Sequence, residues 1–162
     1  MSNLLKYTTF LMMTSALVLM SGCNDNGGGG NSGEKDASGP VTGQWHLESW
    51  GVLTQEQADV YVSFGEDGTF DLYQRVYTPY YEHYDGSYTQ QDGCISGTYS
   101  DGTAWNASYT VTVSEDKARL TLTNTANSDD AAVYRAETIP EEIISGALSL
   151  KSGPGNGVFR VL

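Results

Sequence analysis

The residues with most chemical content in this chain are four tyrosines and two glutamines, Tyr84, Tyr88, Tyr99, Tyr109, Gln74 and Gln90. If the strands alternate as their spacing predicts, all six point to one enclosed face. Phenol rings with hydroxyl and carboxamide tips suit a small amphipathic or aromatic molecule better than a bare fatty acid. Catalysis has far less to work with. Both histidines, His46 and His83, fall on the outward side of their strands, and there is no Gly-x-Ser-x-Gly elbow, His-Glu-x-x-His or Cys-x-x-Cys. No enzyme and no cofactor is therefore expected. The carboxylate pairs Glu66-Asp67, Glu115-Asp116 and Asp129-Asp130 sit in turn-like stretches without the ligand spacing of a calcium loop, so no metal site is expected either. The competing expectation is that the inward aromatics merely fill a core, while Trp50, Tyr61, Tyr73 and Tyr77 form an outer patch for a protein partner.

The elements that must position these side chains are short strands. Tyr61 to Tyr73, YVSFGEDGTFDLY, reads as a hairpin turning at Glu66-Asp67-Gly68 with Gly68 left-handed, which sets Phe64 opposite Phe70, Val62 opposite Leu72 and Val60 opposite Gln74. Val60, Val62, Phe64, Phe70 and Leu72 then share a buried face. Before it, Gly43 to Trp50 is a strand with Trp45, Leu47 and Ser49 on one face and Gln44, His46, Glu48 and Trp50 on the other. Thr54 to Gln57 has capping-box spacing and suits either a short helical turn or a plain loop. Strand three continues to Tyr77 and stops at Thr78-Pro79. Tyr81 to Gln90 comes next, and Asp92-Gly93 as a type I′ turn sets Tyr88 opposite Gly97 and Gln90 opposite Ile95. A turn at Asp101-Gly102-Thr103 then places Tyr99 opposite Trp105. Strand six runs Trp105 to Val113, with Tyr109, Val111 and Val113 inward. Leu120 and Leu122 continue that face after a hairpin at 114–119, and Ala131 to Glu137 is strand eight. Thr138-Ile-Pro-Glu141, another capping-box spacing, begins one or two helical turns ending near Gly146. The tail from Ala147 to Leu162 has room for a hairpin around Gly153 to Gly157.

The chain has 162 residues, nineteen glycines and eleven tyrosines, which favours one all-β domain rich in turns. Its formal charge is −12 with eight Lys and Arg, so no basic stripe exists to neutralise phosphates, and nucleic acid is not an expected partner. Residues 1 to 22 read as a secretory leader: Lys6 precedes an apolar run from Phe10 that is too short to span a bilayer. Lys6 is the leader's one charged residue, so its removal leaves −13. Met20-Ser21-Gly22-Cys23 resembles a bacterial lipobox, with Met where Leu is usual. That resemblance implies lipidation of Cys23, cleavage before it, and a lipid anchor in the cell envelope. Asn24, rather than Asp, after the cysteine implies the outer membrane of a Gram-negative bacterium. Residues 23 to 40 are a Gly/Ser-rich tether able to hold a domain about 20 Å off the bilayer. Acylation withdraws Cys23 from disulfide chemistry, so Cys94 is expected as a small buried thiol rather than a nucleophile.

Eight short antiparallel strands in up-and-down order with one continuous apolar face close most economically into a barrel, which removes both sheet edges. At this point Gly43-Gln44-Trp45 resembles the Gly-x-Trp opening of the lipocalins. Ser63-Phe-Gly-Glu-Asp-Gly-Thr-Phe70, Gly97 to Gly102 and Ile139-Pro-Glu-Glu142 resemble the small lipocalin-like domains of bacterial lipoproteins. The resemblance covers about 41 to 146 and implies a calycin-type barrel over 41–162 whose interior holds a small, largely apolar molecule. It also implies a barrel-closing set: Gly43, Trp45, and a last-strand arginine on the indole, with Arg135 the positional match and Arg160 the fallback.

Overall fold

The structure is a computed structural model that describes residues 39–51, 57–149 and 159–162. The expected leader, Cys23, most of the tether, the turn at Thr54 and the hairpin around Gly153 lie outside the described residues. Eight strands succeed one another: β1 (Gly43–Trp50), β2 (Ala58–Phe64), β3 (Thr69–Val76), β4 (Glu82–Gln91), β5 (Cys94–Tyr99), β6 (Tyr109–Val113), β7 (Arg119–Asn124) and β8 (Ala131–Ala136). A short helix, α1 (Glu141–Gly146), and a two-residue strand, β9 (Leu148–Ser149), come after them. Each strand pairs antiparallel with its successor, and β8 pairs back onto β1, so the sheet is a closed up-and-down barrel. β9 adds in parallel to Glu82 and His83, where β4 has run past the end of its pairing with β5.

The turn chemistry sets the registers as the sequence predicts. Gly68 is left-handed at φ 80°, and Asp67 accepts bonds from the amide and hydroxyl of Thr69 at 3.0 and 2.6 Å, so Phe64 faces Phe70 and Val62 faces Leu72. Asp92 and Gly93 both have positive φ, as a type I′ turn requires, and Tyr88 faces Gly97. The core is the interior of the barrel, from Val41 and Trp45 through Val60, Phe70 and Ile95 to Leu122 and Tyr134.

Several expectations are corrected. A bulge between Leu47 and Ser49 leaves Glu48 unpaired and reverses the alternation, so Ser49 points outward and Trp50 packs against the core. Trp105 lies opposite Gly97, not Tyr99: its amide bonds to the Gly97 carbonyl at 2.9 Å while the Tyr99 amide bonds to Thr103. The reason is steric, because the indole occupies the space above Gly97 that any Cβ would fill, at 2.4–2.8 Å. Residues 105–108 are accordingly not strand, and β6 begins at Tyr109. The capping box at Thr138 is not formed; Pro140 precedes α1 without a side-chain cap. The outer aromatic patch is absent as such, since Ile139 and Ile143 bury Tyr61 and Tyr73, which are 6% and 7% exposed, whereas Tyr77 is 77% exposed. Cys94 opens β5 and is half-buried rather than fully buried.

Gly86 shows how tightly the barrel wall is drawn. A Cβ there would stand 2.2 Å from the Thr98 carbonyl oxygen and 2.8 Å from the Phe70 ring. Gly86→Ala is therefore expected to cost about 3 kcal/mol or more, at the upper end for overpacking, because backbone must move. Gly102→Ala, where φ is 86° but nothing lies within 4 Å of the new methyl, is expected to cost about 1 kcal/mol through strain alone. Denaturant titration of both variants checks the order; equal midpoints would contradict it.

Candidate functional site

The six predicted ligand residues do not converge on one open space. Gln90 and Tyr88 belong to the end of the barrel where the chain enters. There the Gln90 carboxamide accepts from the Val41 amide at 3.1 Å and donates to the Gly39 carbonyl at 2.7 Å. Tyr88 donates to the Gly65 carbonyl at 2.8 Å. Trp45 seals this end, its indole donating to the Val41 carbonyl at 2.7 Å. Gly43, at φ 133°, brings the backbone over the indole edge in a conformation side chains rarely adopt.

Gln74, Tyr84 and Tyr99 belong to the opposite end, the mouth, where segment 159–162 enters the barrel. Gln74 repeats the contact made by Gln90: it accepts from the Val161 amide at 3.2 Å and donates to the Phe159 carbonyl at 2.7 Å. Tyr99 donates to the Leu162 carbonyl at 2.9 Å, and Asn106 to the Arg160 carbonyl at 2.8 Å. Leu162 is 1% exposed. Tyr109 packs against Trp105 in the interior, and burial pushes its hydroxyl up to about 12. Burial raises the Tyr84 and Tyr99 hydroxyls further, and Glu82, which accepts from Tyr84 at 3.1 Å, adds to the effect on Tyr84.

Arg160 is the residue that sequence reasoning placed only as a fallback. Its guanidinium lies 4.2 Å from the Tyr99 ring centre and 4.8 Å from that of Tyr84, and it pairs with Asp101 at 2.5 Å. The hydrogen bond from Arg160 holds the Asp101 carboxyl well below the usual carboxylate range. Arg135 is elsewhere. Its cross-strand partner is His46, whereas that of Trp45 is Ala136, so alternation puts Arg135 on the outer wall. There it donates to His46 Nδ1 at 2.7 Å and to Glu137 at 2.5 Å. The barrel-closing role expected of Arg135 is thereby corrected, and Arg160 stacks on tyrosines at the mouth rather than on Trp45.

His46 faces outward as expected, but it is covered rather than solvated. It is 7% exposed, stacked on Tyr61 with ring centres 3.9 Å apart, and its Nε2 meets Asp59 at 2.7 Å. With the proton on Nε2 it donates to Asp59 and accepts from Arg135. Burial opposes the charge on Asp59, but hydrogen bonds from Tyr81 and His46 outweigh it and lower that carboxyl. His83 faces outward as expected, against Tyr73 and Asp71.

Beside Arg160, where β4 and β5 part, a cleft of about 530 Å³ opens to solvent. Tyr84 and Tyr99 form its apolar wall, and Arg160, Asp101, Asp85 and His83 its polar one. Ser100 and Ser149 stand there as well. Two buried donors of the described residues have no hydrogen-bond partner, Arg160 Nε and Trp105 Nε1. No three His, Cys, Asp or Glu side chains among the described residues converge as metal ligands.

The fold and the mouth define a closed eight-stranded barrel compatible with a lipocalin-like architecture, with both ends occupied by its own chain. Comparison with protein-family models, with curated proteins and with solved structures finds no match to this chain.

Two variants test the Arg160 cluster. Arg160→Ala is expected to lose roughly 2 to 4 kcal/mol, since a desolvated cation–π pair and a buried ion pair go together. Arg135→Ala, on a part-exposed outer pair, should lose roughly 1 kcal/mol. Thermal denaturation ranks them, and the reverse order would contradict the placement. The Asp101 carboxyl is lowered in the folded state, so its contribution is full above its ordinary value of 3.8 and fades as pH falls. The stability gap between wild type and Asp101→Asn should thus be constant above about pH 5 and narrow steadily below about pH 4.

Proposed function

We propose that the protein is a lipid-anchored binding protein of the bacterial cell envelope that holds a small amphipathic molecule and catalyses nothing. The observation that carries the reading is the cleft at the mouth. Two of the predicted tyrosines, Tyr84 and Tyr99, line it and leave about 530 Å³ open, while Gln74, Gln90 and Tyr88 are engaged by the chain's own backbone. Ring faces on one side and ionised tips on the other fit a molecule with an apolar body and one or two polar groups. Burial keeps the tyrosine hydroxyls protonated at neutral pH. Each already donates its one proton within the protein, Tyr84 to Glu82 and Tyr99 to the Leu162 backbone oxygen, so the ring faces rather than the hydroxyls are what the tyrosines offer a ligand. His46 is held between acids and an arginine on the outer wall, which supports a structural part for it rather than proton transfer to a substrate.

A second reading has its own observation. Both barrel ends are closed by residues 39–41 and 159–162, as a filled barrel serving as a structural or interaction module would have them. A thermal-shift screen of small molecules, with native mass spectrometry of protein from its own membrane, separates the two. Binding at the cleft predicts hits whose shift disappears in Tyr84→Ala, with affinity reduced about tenfold or more for a lost aromatic wall. Neither a co-purified molecule nor a hit moves the weight to the filled barrel.

The anchor rests on the lipobox at Met20-Ser21-Gly22-Cys23 and the Gly/Ser-rich stretch after it. The sequence has two cysteines, so within one chain a Cys23–Cys94 disulfide and an acyl thioether on Cys23 exclude each other. Mass spectrometry of the membrane-derived protein is expected to find acylated Cys23 as the first residue. An N-terminus elsewhere, or Cys23 in a disulfide, would overturn the anchor.

A further inference from the structure

The mouth of the barrel is built like a peptide-recognition site. Segment 159–162 lies outside every strand, and the bonds its backbone makes to the described residues run to side chains: the Phe159 carbonyl and Val161 amide to Gln74, the Arg160 carbonyl to Asn106, the Leu162 carbonyl to Tyr99. Gln74 reads residues i and i+2 of an extended chain on one edge, as a neighbouring strand would, and Asn106 reads residue i+1. The side chains are sorted as well. Arg160 enters a slot with Tyr84 and Tyr99 against its guanidinium and Asp101 paired to its nitrogens. Val161 and Leu162 go into the barrel, at 7% and 1% exposure. Aromatic faces plus one carboxylate select a planar cation, and the aliphatic floor selects the two residues after it.

We propose that this mouth is a receptor site for an extended, arginine-bearing peptide segment of a partner protein, with arginine followed by two aliphatic residues. In this chain residues 159–162 occupy it in cis. The partner's cation is favoured by the acids Asp85 and Asp101 at the mouth and by a net charge of −12 on the whole chain. A tethered occupant competes at an effective concentration of about millimolar, so a partner segment binds weakly until the cis segment is loosened. The proposal stands on the contacts of the segment and not on occupancy of the cleft beside it. A small-molecule hit without peptide binding would sink the slot and leave the cleft, and the converse result would do the opposite.

The test uses the full chain and a fluorescein-labelled, carboxy-amidated Phe-Arg-Val-Leu peptide, monitored by fluorescence anisotropy. In the Arg160→Ala, Leu162→Ala double variant the cis segment is weakened while Gln74, Tyr84, Tyr99, Asp101 and Asn106 are intact. It is expected to bind the peptide at least about tenfold more tightly than wild type does. Replacing the peptide's arginine by alanine, or adding Asp101→Asn, should abolish the gain. A folded double variant that binds no better than wild type overturns the proposal, and so does equal binding of the alanine peptide. If the double variant is unfolded by circular dichroism, adding the peptide must restore the near-ultraviolet signal, and failure to do so also overturns it. The single variant Arg160→Ala gives an independent reading: guanidinium ion at low millimolar concentration should raise its melting temperature and leave wild type unchanged. An equal shift in both would contradict the slot.

Discussion

Closing a sheet into a barrel solves one problem and creates another. Pairing β8 to β1 removes the sheet edges, but it leaves a tube whose two ends expose the apolar lining to water unless something covers them. Here the cover at each end is a short extended piece of the chain, gripped at two of its residues by one glutamine from the barrel wall and at others by further side chains. Gln90 bonds residues 39 and 41, Gln74 bonds residues 159 and 161, and each carboxamide uses one acceptor and one donor. Burying a polar side chain in this way is tolerable because both halves of the amide are satisfied. Packing of Val41 and Trp45 at one end, and of Val161 and Leu162 at the other, depends on those bonds.

The outer wall carries a second, smaller core. Ile143 from α1, with Ile139 just before the helix, covers Tyr61 and Tyr73, and under this cover His46 is gripped by Asp59, Glu137 and Arg135. Asp59 also receives Tyr81 at 2.6 Å and Arg75 at 2.9 Å. Charges from β1, β2, β3, β8 and the stretch after β8 are thus joined on one side of the barrel, beneath the chain that leads to β9. An arrangement with one buried imidazole between two carboxylates is sensitive to the loss of any member, since each remaining charge would be left without its counterpart.

The parts of the fold legible beforehand were local. Gly68, and the pair Asp92-Gly93, dictate turn types, and turn types dictate registers, so the β2–β3 and β4–β5 pairings came out as the turns require. The misses have separate causes. Nothing in GQWHLESW marks the extra residue at Glu48, and a single bulge suffices to send Trp50 inward. Tyr61 and Tyr73 obey alternation but are covered by α1, a contact between distant parts of the chain that periodicity cannot register. Arg135 matched a family position, yet its place opposite His46 rather than Trp45 was already implied by the period-two rule along β8. The mouth was hardest to see. Its Gln74 and tyrosines were legible as an inward polar set, but their occupant, Phe-Arg-Val-Leu, carries only one sign of its role: an apolar run with a lone arginine after a Gly-rich stretch.

Because both end segments are held by side chains and packing, either can leave without unzipping a strand. Opening of this kind is a sub-global event, with a free energy set by a few hydrogen bonds and one or two aliphatic side chains rather than by the ladder. The two ends differ in what they must break: Gly39 to Val41 gives up Gln90 and the Trp45 indole, whereas Phe159 to Leu162 gives up Gln74, Tyr99, Asn106 and an ion pair. The interior is therefore reached on two clocks, one for each end, and neither is the clock on which the barrel itself unfolds.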